Sequence, residues 1–334
     1  MITMSVLYLT EQGSVLGRRQ RRLIVTKDGN ILKEVSGLRL ERILIFGNVQ
    51  ITAQAMAYLL EQGIETSLLS SHGKFRGRLA PVESKNVFLR IAQYERYLDE
   101  RFPVEHSRRI VEAKIRNART LITRYGYDHK EEGFDDIVEV LKRALVSLPN
   151  KEKVATILGV EGHSTAAYFR AFGKMLRREF QFSTRSRRPP KDPVNALLSF
   201  GYTLITNEIL SILCAIGLDP YIGYLHSINY GRPSLALDLV EEFRHPAIDR
   251  FTLNLVNNRV LDALDFEGRE DGGFYLTDDS RRRYFLAYEE MMRNSFKESL
   301  SGEKVNFRSL LTRQAHKLAK SIQQGVPYQP FLWE

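Results

Sequence analysis

Through residues 5–81 the apolar positions come in short runs cut by turn residues, the pattern of strands rather than of long helices. Residues 23–26 and 31–35 flank Asp28-Gly29, a pair suited to the tight turn of an antiparallel hairpin. Residues 42–46 and 65–69 read as further strands, 52–62 as one short helix, and His72-Gly73-Lys74-Phe75-Arg76-Gly77 as a closing turn. After Ser84 the period changes: Phe88, Ile91, Tyr94, Tyr97 and Leu98 recur at three and four residues, which is helical spacing. Helices are expected at 86–101, 106–125, 134–147, 151–158, 163–182, 193–217, 234–243, 246–263, 277–299 and 305–323. The stretch between the fifth and sixth must be a loop, because Pro189, Pro190 and Pro193 cannot sit in a helix interior. The fold class is therefore α+β, with an N-terminal β-rich domain over residues 1–84 and a larger all-α domain over residues 85–334.

Composition agrees with a folded chain of this kind. With 43% hydrophobic and 27% charged residues, disorder, collagen and a disulfide scaffold are excluded. At 334 residues the chain exceeds the size at which single cores stop growing, so two domains are expected. Cys214 is the only cysteine, which removes any intrachain disulfide or multi-cysteine metal site and fits a reducing cytoplasm. The opening Met1-Ile-Thr-Met-Ser-Val carries no charged leader region and gives no signal for export. Residues 194–218 are apolar enough to raise a membrane span. Asn195, Asn207 and Glu208 fall inside them, and Glu208 near mid-membrane would cost several kcal/mol, so a buried central helix is expected and no membrane contact.

The net charge is +9, and it is concentrated. Between residues 170 and 191 lie eight basic side chains (Arg170, Lys174, Arg177, Arg178, Arg185, Arg187, Arg188, Lys191) and one acid, Glu179. Arg170, Lys174 and Arg177 would share a helix face that runs into a basic loop, while Phe169, Phe172, Leu176 and Phe180 pack elsewhere. Such a strip suits a nucleic-acid phosphate backbone. A solvated charged face is the ordinary alternative, weakened here by the shortage of acids. Arg281-Arg282-Arg283 is weaker evidence, because Asp278, Asp279, Glu289 and Glu290 lie close by.

Candidate chemistry lies elsewhere. In residues 223–244, Ser234 is a suitable N-cap, and Asp238 and Glu241 follow at i and i+3, pointing off one helix face beside a buried stripe of Leu235, Leu239 and Phe243. His226 in the preceding loop could fold over that carboxylate pair. An acidic amphipathic helix near a histidine is common, so spacing alone leaves a purely structural role open. Gly159-Val-Glu161-Gly162 brackets a second carboxylate at what reads as a turn before a helix.

Taken together, Gly159-Val-Glu161-Gly-His-Ser-Thr-Ala-Ala-Tyr168-Phe169, the run from Arg185 through Asn195 to Tyr202, and residues 226–244 resemble the CRISPR-associated adaptation integrase, the metal-dependent DNA endonuclease subunit that inserts new spacers into CRISPR arrays. Residues 45–51, 273–277 and the tail Tyr328-Gln-Pro-Phe-Leu-Trp333 are similar to that family as well. The resemblance implies metal ligands at Glu161, His226 and Glu241, with Asp238, one turn earlier, in a supporting catalytic role. Glu242 competes by charge alone, but it lies about 100° further round the helix. Two carboxylates and one imidazole suit Mn²⁺ or Mg²⁺. His163 and His245 then read as structural or DNA-adjacent, and Tyr168 as an aid to leaving-group protonation or substrate positioning. DNA, both spacer precursor and CRISPR repeat, is the implied substrate. The implied partners are a second copy of the chain, joined largely through the β domain, and a dimer of the small second adaptation protein. A structure-selective nuclease of branched DNA, without joining activity, and a non-catalytic nucleic-acid scaffold are the alternatives.

Overall fold

The computed structural model describes residues 5–71, 73, 75–80, 84–130, 133–177, 180–298 and 302–333. Of the residues singled out above, Met1 to Met4, His72, Lys74, Arg178 and Glu179 lie outside them. The chain divides into two compact units, Met1–Glu83 and Ser84–Glu334.

The first unit runs β1 (Ser5–Leu9), β2 (Val15–Arg19), β3 (Arg22–Lys27), β4 (Asn30–Ser36), β5 (Leu40–Phe46), β6 (Gln50–Ile51), helix α1 (Ala53–Glu61), β7 (Glu65–Leu69) and β8 (Phe75–Leu79). Among the described residues these strands make two four-stranded sheets, ordered β1-β5-β7-β8 and β4-β3-β2-β6. Strands β1, β5 and β7 are parallel, and β8 returns antiparallel. Ile43, Leu44, Ile45 and Phe46 are all buried, the unbroken apolar run that a central parallel strand needs when both its faces are covered. Asp28 (φ +49°) and Gly29 (φ +80°) both take the left-handed conformation that closes the β3–β4 hairpin. Thr52 caps α1 by accepting from the Ala55 amide at 3.2 Å.

The second unit runs α2 (Val87–Leu98), α3 (Phe102–Asp128), α4 (Asp135–Ser147), α5 (Val154–Met175), α6 (Pro193–Ile216), α7 (Ser234–Val240), α8 (Arg250–Asn257), a hairpin of β9 (Phe266–Gly268) and β10 (Phe274–Leu276), α9 (Asp278–Arg293), a second hairpin of β11 (Phe296–Lys297) and β12 (Lys304–Val305), and α10 (Phe307–Gln324). The two small hairpins qualify the all-α expectation. Helix α6 is the core element: the Asp192 carboxylate caps it by accepting from the Asn195 amide at 2.7 Å, and Gly217 (φ +104°) ends it. It is long and apolar enough to cross a membrane, yet 67% of its apolar window is buried within the fold. Its Glu208 is paired with Arg308 at 3.1 Å and accepts from the Tyr288 hydroxyl at 3.0 Å, so the charge that argued against a span is neutralised internally.

The helical stripe of α2 faces outward, with Phe88 77% and Leu98 79% exposed. Three expectations are corrected. Residues 159–162 form no turn, and α5 runs unbroken through both glycines. Glycine in a helix interior costs about 1 kcal/mol each, and packing along α3 and α4 outweighs that. Helix α5 ends at Met175 rather than near 182, because the chain folds back: Phe182 packs on Phe169 and Phe172, and Asn257 donates to the Met175 carbonyl at 2.9 Å. The expected helix 246–263 is replaced by a wide π-type turn, Arg244–Asp249, leading into α8. Pro246 has no N–H to give the Glu242 carbonyl, and the Asn117 side chain supplies that bond instead, at 2.8 Å.

Candidate active site

Helices α3, α5 and α7 and the loop after α6 bring the candidate residues together. Glu161 projects from the middle of α5, and Glu241 ends α7. The two carboxylates meet through the ammonium of Lys114 on α3, which donates to Glu161 Oε1 and stands 2.6 Å from Glu241 Oε2. Thr165, one turn along α5, donates to the same Glu161 oxygen at 2.9 Å.

His226 enters from the loop, and Asp238 governs its placement. One carboxylate oxygen, Oδ2, accepts the amides of Tyr224 (2.6 Å) and Leu225 (3.0 Å); the other, Oδ1, accepts the amide of His226 (2.9 Å) and its ring Nδ1–H (2.8 Å). That last bond assigns the proton to Nδ1 and leaves Nε2 with a lone pair, 3.9 Å from Glu241 Oε1. The loop can pass this close to α7 only because residue 223 is glycine, since a Cβ there would stand 2.7 Å from the Ser234 backbone and 2.9 Å from Asp238 Oδ2. Ser234 differs from its expected role: it is the first helical residue, and its hydroxyl donates to the Ser227 carbonyl at 2.9 Å instead of capping α7.

Burial and charge are balanced by position. Glu241 is buried, which opposes its charge, but Arg244 and Lys114 outweigh that and hold its carboxyl well below the usual range. Burial likewise opposes the charge of Glu161, and Lys114 prevails. Arg244 lies 3.3 Å from Glu241 Oε1 and stacks on the Tyr202 ring at 4.3 Å. Lys114 and Glu241 side chains are 4% and 6% exposed, Glu161 and His226 21% and 18%, so the site opens to solvent on the Glu161–His226 side.

Behind this layer, Asp249 accepts from Tyr168 at 2.8 Å, from His245 Nδ1 at 2.7 Å and from Tyr202. Tyr168 is fully buried and engaged there, and burial first and then Asp249 raise its pKa well above the usual value, so the leaving-group or substrate-positioning role expected for it is not supported. His245 is buried with it, while His163 is exposed on α5. Glu242 points the other way and binds the C-terminal tail, accepting from Tyr328 at 2.6 Å and from the Phe331 amide.

The basic strip is divided. Arg170, Arg187 and Arg188 are exposed. Lys174 is exposed but lies 3.3 Å from the Gly133 carbonyl, and Arg177, beyond the end of α5, contacts Tyr125 and His129. Arg185 is turned inward, donating to Asn195 Oδ1 at 2.7 Å and Ser199 Oγ at 2.9 Å, and burial lowers its pKa to about 10. At about 100° per residue, Arg170 falls roughly opposite Glu161 on α5. Arg281 and Arg283 pair with Asp278 and Asp265, the ordinary reading of that run.

Among the described residues no three His, Cys, Asp or Glu side chains stand close enough to ligate one ion together. The donor set nonetheless fits a divalent cation: two ionised carboxylates and an imidazole Nε2 with its lone pair free. Asp238 fits less well as a ligand, because four N–H groups already use its carboxylate. Lys114 and Arg244 were missed in the sequence. The usable signal was a lysine in register with Ile110, Asn117 and Leu121, a polar residue on the core face of α3.

Residues 7–290 match the family described as CRISPR associated protein Cas1. The chain is 36% identical over 330 residues to the CRISPR-associated endonuclease Cas1 3 of Thermus thermophilus, covering 98% of this chain and 96% of that one. Among solved structures it is similar to a casposase bound to integration product, with a TM-score of 0.87 and 24% identity over 98% of this chain and 93% of that chain. It is also similar to a Cas6-RT-Cas1–Cas2 complex, with a TM-score of 0.83 and 25% identity over 99% of this chain and 36% of that chain. With the matched segment spanning most of its length and a curated relative aligned nearly end to end, the chain belongs to the Cas1 family.

Proposed function

We propose that this protein is a divalent-metal-dependent DNA endonuclease and integrase that inserts spacer DNA into a CRISPR array, with Glu161, His226 and Glu241 as the metal ligands. The observation that carries the reading is that Glu161 from α5 and Glu241 from α7 meet on the Lys114 ammonium, with His226 Nε2 3.9 Å from Glu241, within a chain 36% identical to a Cas1 endonuclease. Bound there, Mn²⁺ or Mg²⁺ would supply Lewis-acid polarisation of the phosphodiester. Asp238 fixes the tautomer and angle of His226 and is a positioning residue. Arg244 keeps Glu241 ionised. Tyr168 and Cys214 are buried, so the attacking group is taken to be a DNA 3′-hydroxyl: its oxygen bonds to phosphorus, the target strand's 3′ oxygen leaves, and no protein–DNA bond forms.

The DNA backbone is assigned to the exposed Arg170, Arg187 and Arg188, with Lys174 and Arg177 free to exchange their present contacts for phosphates. Because Arg170 faces away from Glu161, that strip holds DNA flanking the cut rather than the scissile bond. Arg185 braces the loop from within. The β-rich residues 1–84 are assigned to homodimer formation and residues 85–334 to catalysis. The small second adaptation protein is assigned as scaffold partner, in keeping with the Cas1–Cas2 assembly whose Cas1 part this chain resembles.

The test uses donor duplexes ending in 3′-deoxy nucleotides, supplied with the partner protein, Mn²⁺ or Mg²⁺ and a repeat-bearing target. These donors should bind normally and fail to join, while water-driven nicking of branched DNA survives. Joined product from the blocked donor, or a trapped protein–DNA adduct, would overturn the mechanism.

A further inference from the structure

Lys114 is the side chain of the site for which the proposed reaction has no use. It is 4% exposed, donates to Glu161 Oε1 and stands 2.6 Å from Glu241 Oε2, so it lies between the two carboxylates assigned as ligands. Without it they would face each other as like charges, with Arg244 in contact with Glu241 and only the Thr165 hydroxyl donating to Glu161. The two cations also differ in freedom. Arg244 is held by its stack on Tyr202 and its bond to Glu241, whereas an ammonium on a four-carbon stem is a compact charge that can withdraw by rotating.

We propose that Lys114 is the resident counter-ion of the Glu161–Glu241 pair, holding the carboxylates together in the metal-free protein and yielding them to a divalent cation, so that cation affinity is set by competition with an internal ammonium. The inference rests on the ligand set proposed above. It reverses the sign expected if Lys114 merely oriented its partners. An orienting donor, once removed, loosens the ligands and weakens cation binding; a competing cation, once removed, leaves two uncompensated carboxylates and strengthens it. An opposite charge at this range is typically worth one to three pKa units to a carboxylate, so the gain should be about tenfold or more.

The test is Mn²⁺ binding to the chelator-stripped full-length protein, read from the electron paramagnetic resonance of free Mn²⁺, alongside thermal melting. Lys114→Met should bind Mn²⁺ about tenfold or more tightly than wild type, should melt lower when metal-free, and should recover most of that difference at saturating Mn²⁺. Equal or weaker binding by Lys114→Met, with wild-type binding that His226→Ala abolishes, overturns the counter-ion role and leaves the ligand set standing. Wild-type binding that neither His226→Ala nor Glu161→Gln alters overturns the ligand set, and the inference with it. Should Lys114→Met fail to fold, the wild-type protein labelled with ¹⁵N-lysine decides the matter. Its Lys114 Nζ signal, assigned by its absence in Lys114→Arg, should shift along the Mg²⁺ binding curve, and a signal that stays fixed through saturation overturns displacement.

Discussion

Asp238 Oδ1 receives both the ring Nδ1–H of His226, at 2.8 Å, and the backbone N–H of the same residue, at 2.9 Å. One carboxylate thus decides where the imidazole sits and which of its nitrogens keeps a lone pair. Removing such a support behind a metal-binding histidine typically lowers affinity or activity 10–100-fold. Asp238→Ala should show a loss of that size in strand joining. It should also lose at least about 2 kcal/mol of stability, because the amides of Tyr224, Leu225 and His226 lose their acceptor. Joining assays and denaturant melts check both parts.

Gly223→Ala tests the same support without touching a proposed ligand. Its Cβ would press on Ser234 and Asp238, which should destabilise the protein by about 1–3 kcal/mol and depress joining. Wild-type melting and activity in this variant would show that the loop has slack that the distances deny.

Glu161→Gln and His226→Ala should each abolish strand cutting and joining while circular dichroism and melting stay near wild type, since both side chains lie at the open edge of the site. Glu241→Gln is a less clean experiment, because it leaves the buried Arg244 short of its partner and should also unfold more easily.

For DNA binding, Arg170, Arg187 and Arg188 should behave unlike Arg185. Replacing the first three with Ala should weaken affinity across DNA sequences and flatten the plot of log K against log salt by roughly one unit per lost phosphate contact. Arg185→Ala should instead lower the melting temperature, because Asn195 and Ser199 lose a buried donor.

His106 supplies a pH signature. It is buried among Phe102, Tyr224 and Tyr328, neither ring nitrogen has a hydrogen-bond partner, and burial lowers its pKa from 6.5 to about 4. Between those values the unfolded chain binds a proton that the folded chain refuses. Its contribution is therefore whole above about pH 6.5 and is lost as pH falls toward 4, amounting to roughly 3 kcal/mol. His106→Leu should remove this component, so that the melting difference between variant and wild type at pH 7.5 shrinks or reverses at pH 4.5.

Much of the architecture is legible in the chain itself, because it rests on local physics. The Asp28-Gly29 hairpin needs only two residues that tolerate positive φ. The buried α6 follows from an apolar run with an acid in its middle, and the helical period after Ser84 needs no partner to be recognised. Glu161, His226 and Glu241 were singled out through motif resemblance, since spacing alone could not separate Asp238 from a ligand or Glu242 from a bystander. Long-range competition decided the rest. Whether Gly159 and Gly162 break α5 depends on how firmly α3 and α4 hold it, and that is absent from a local window. Arg185 and Arg187 carry the same charge two residues apart, and only the position of Asn195 and Ser199 on α6 turns one inward and leaves the other exposed. Lys114 reads in sequence as one more helix cation; it becomes the counter-ion of two carboxylates because α5 and α7 deliver their acids to its face of α3. A pairwise charge interaction exists only at a distance, and distances between residues 47 or more positions apart are set by the tertiary fold.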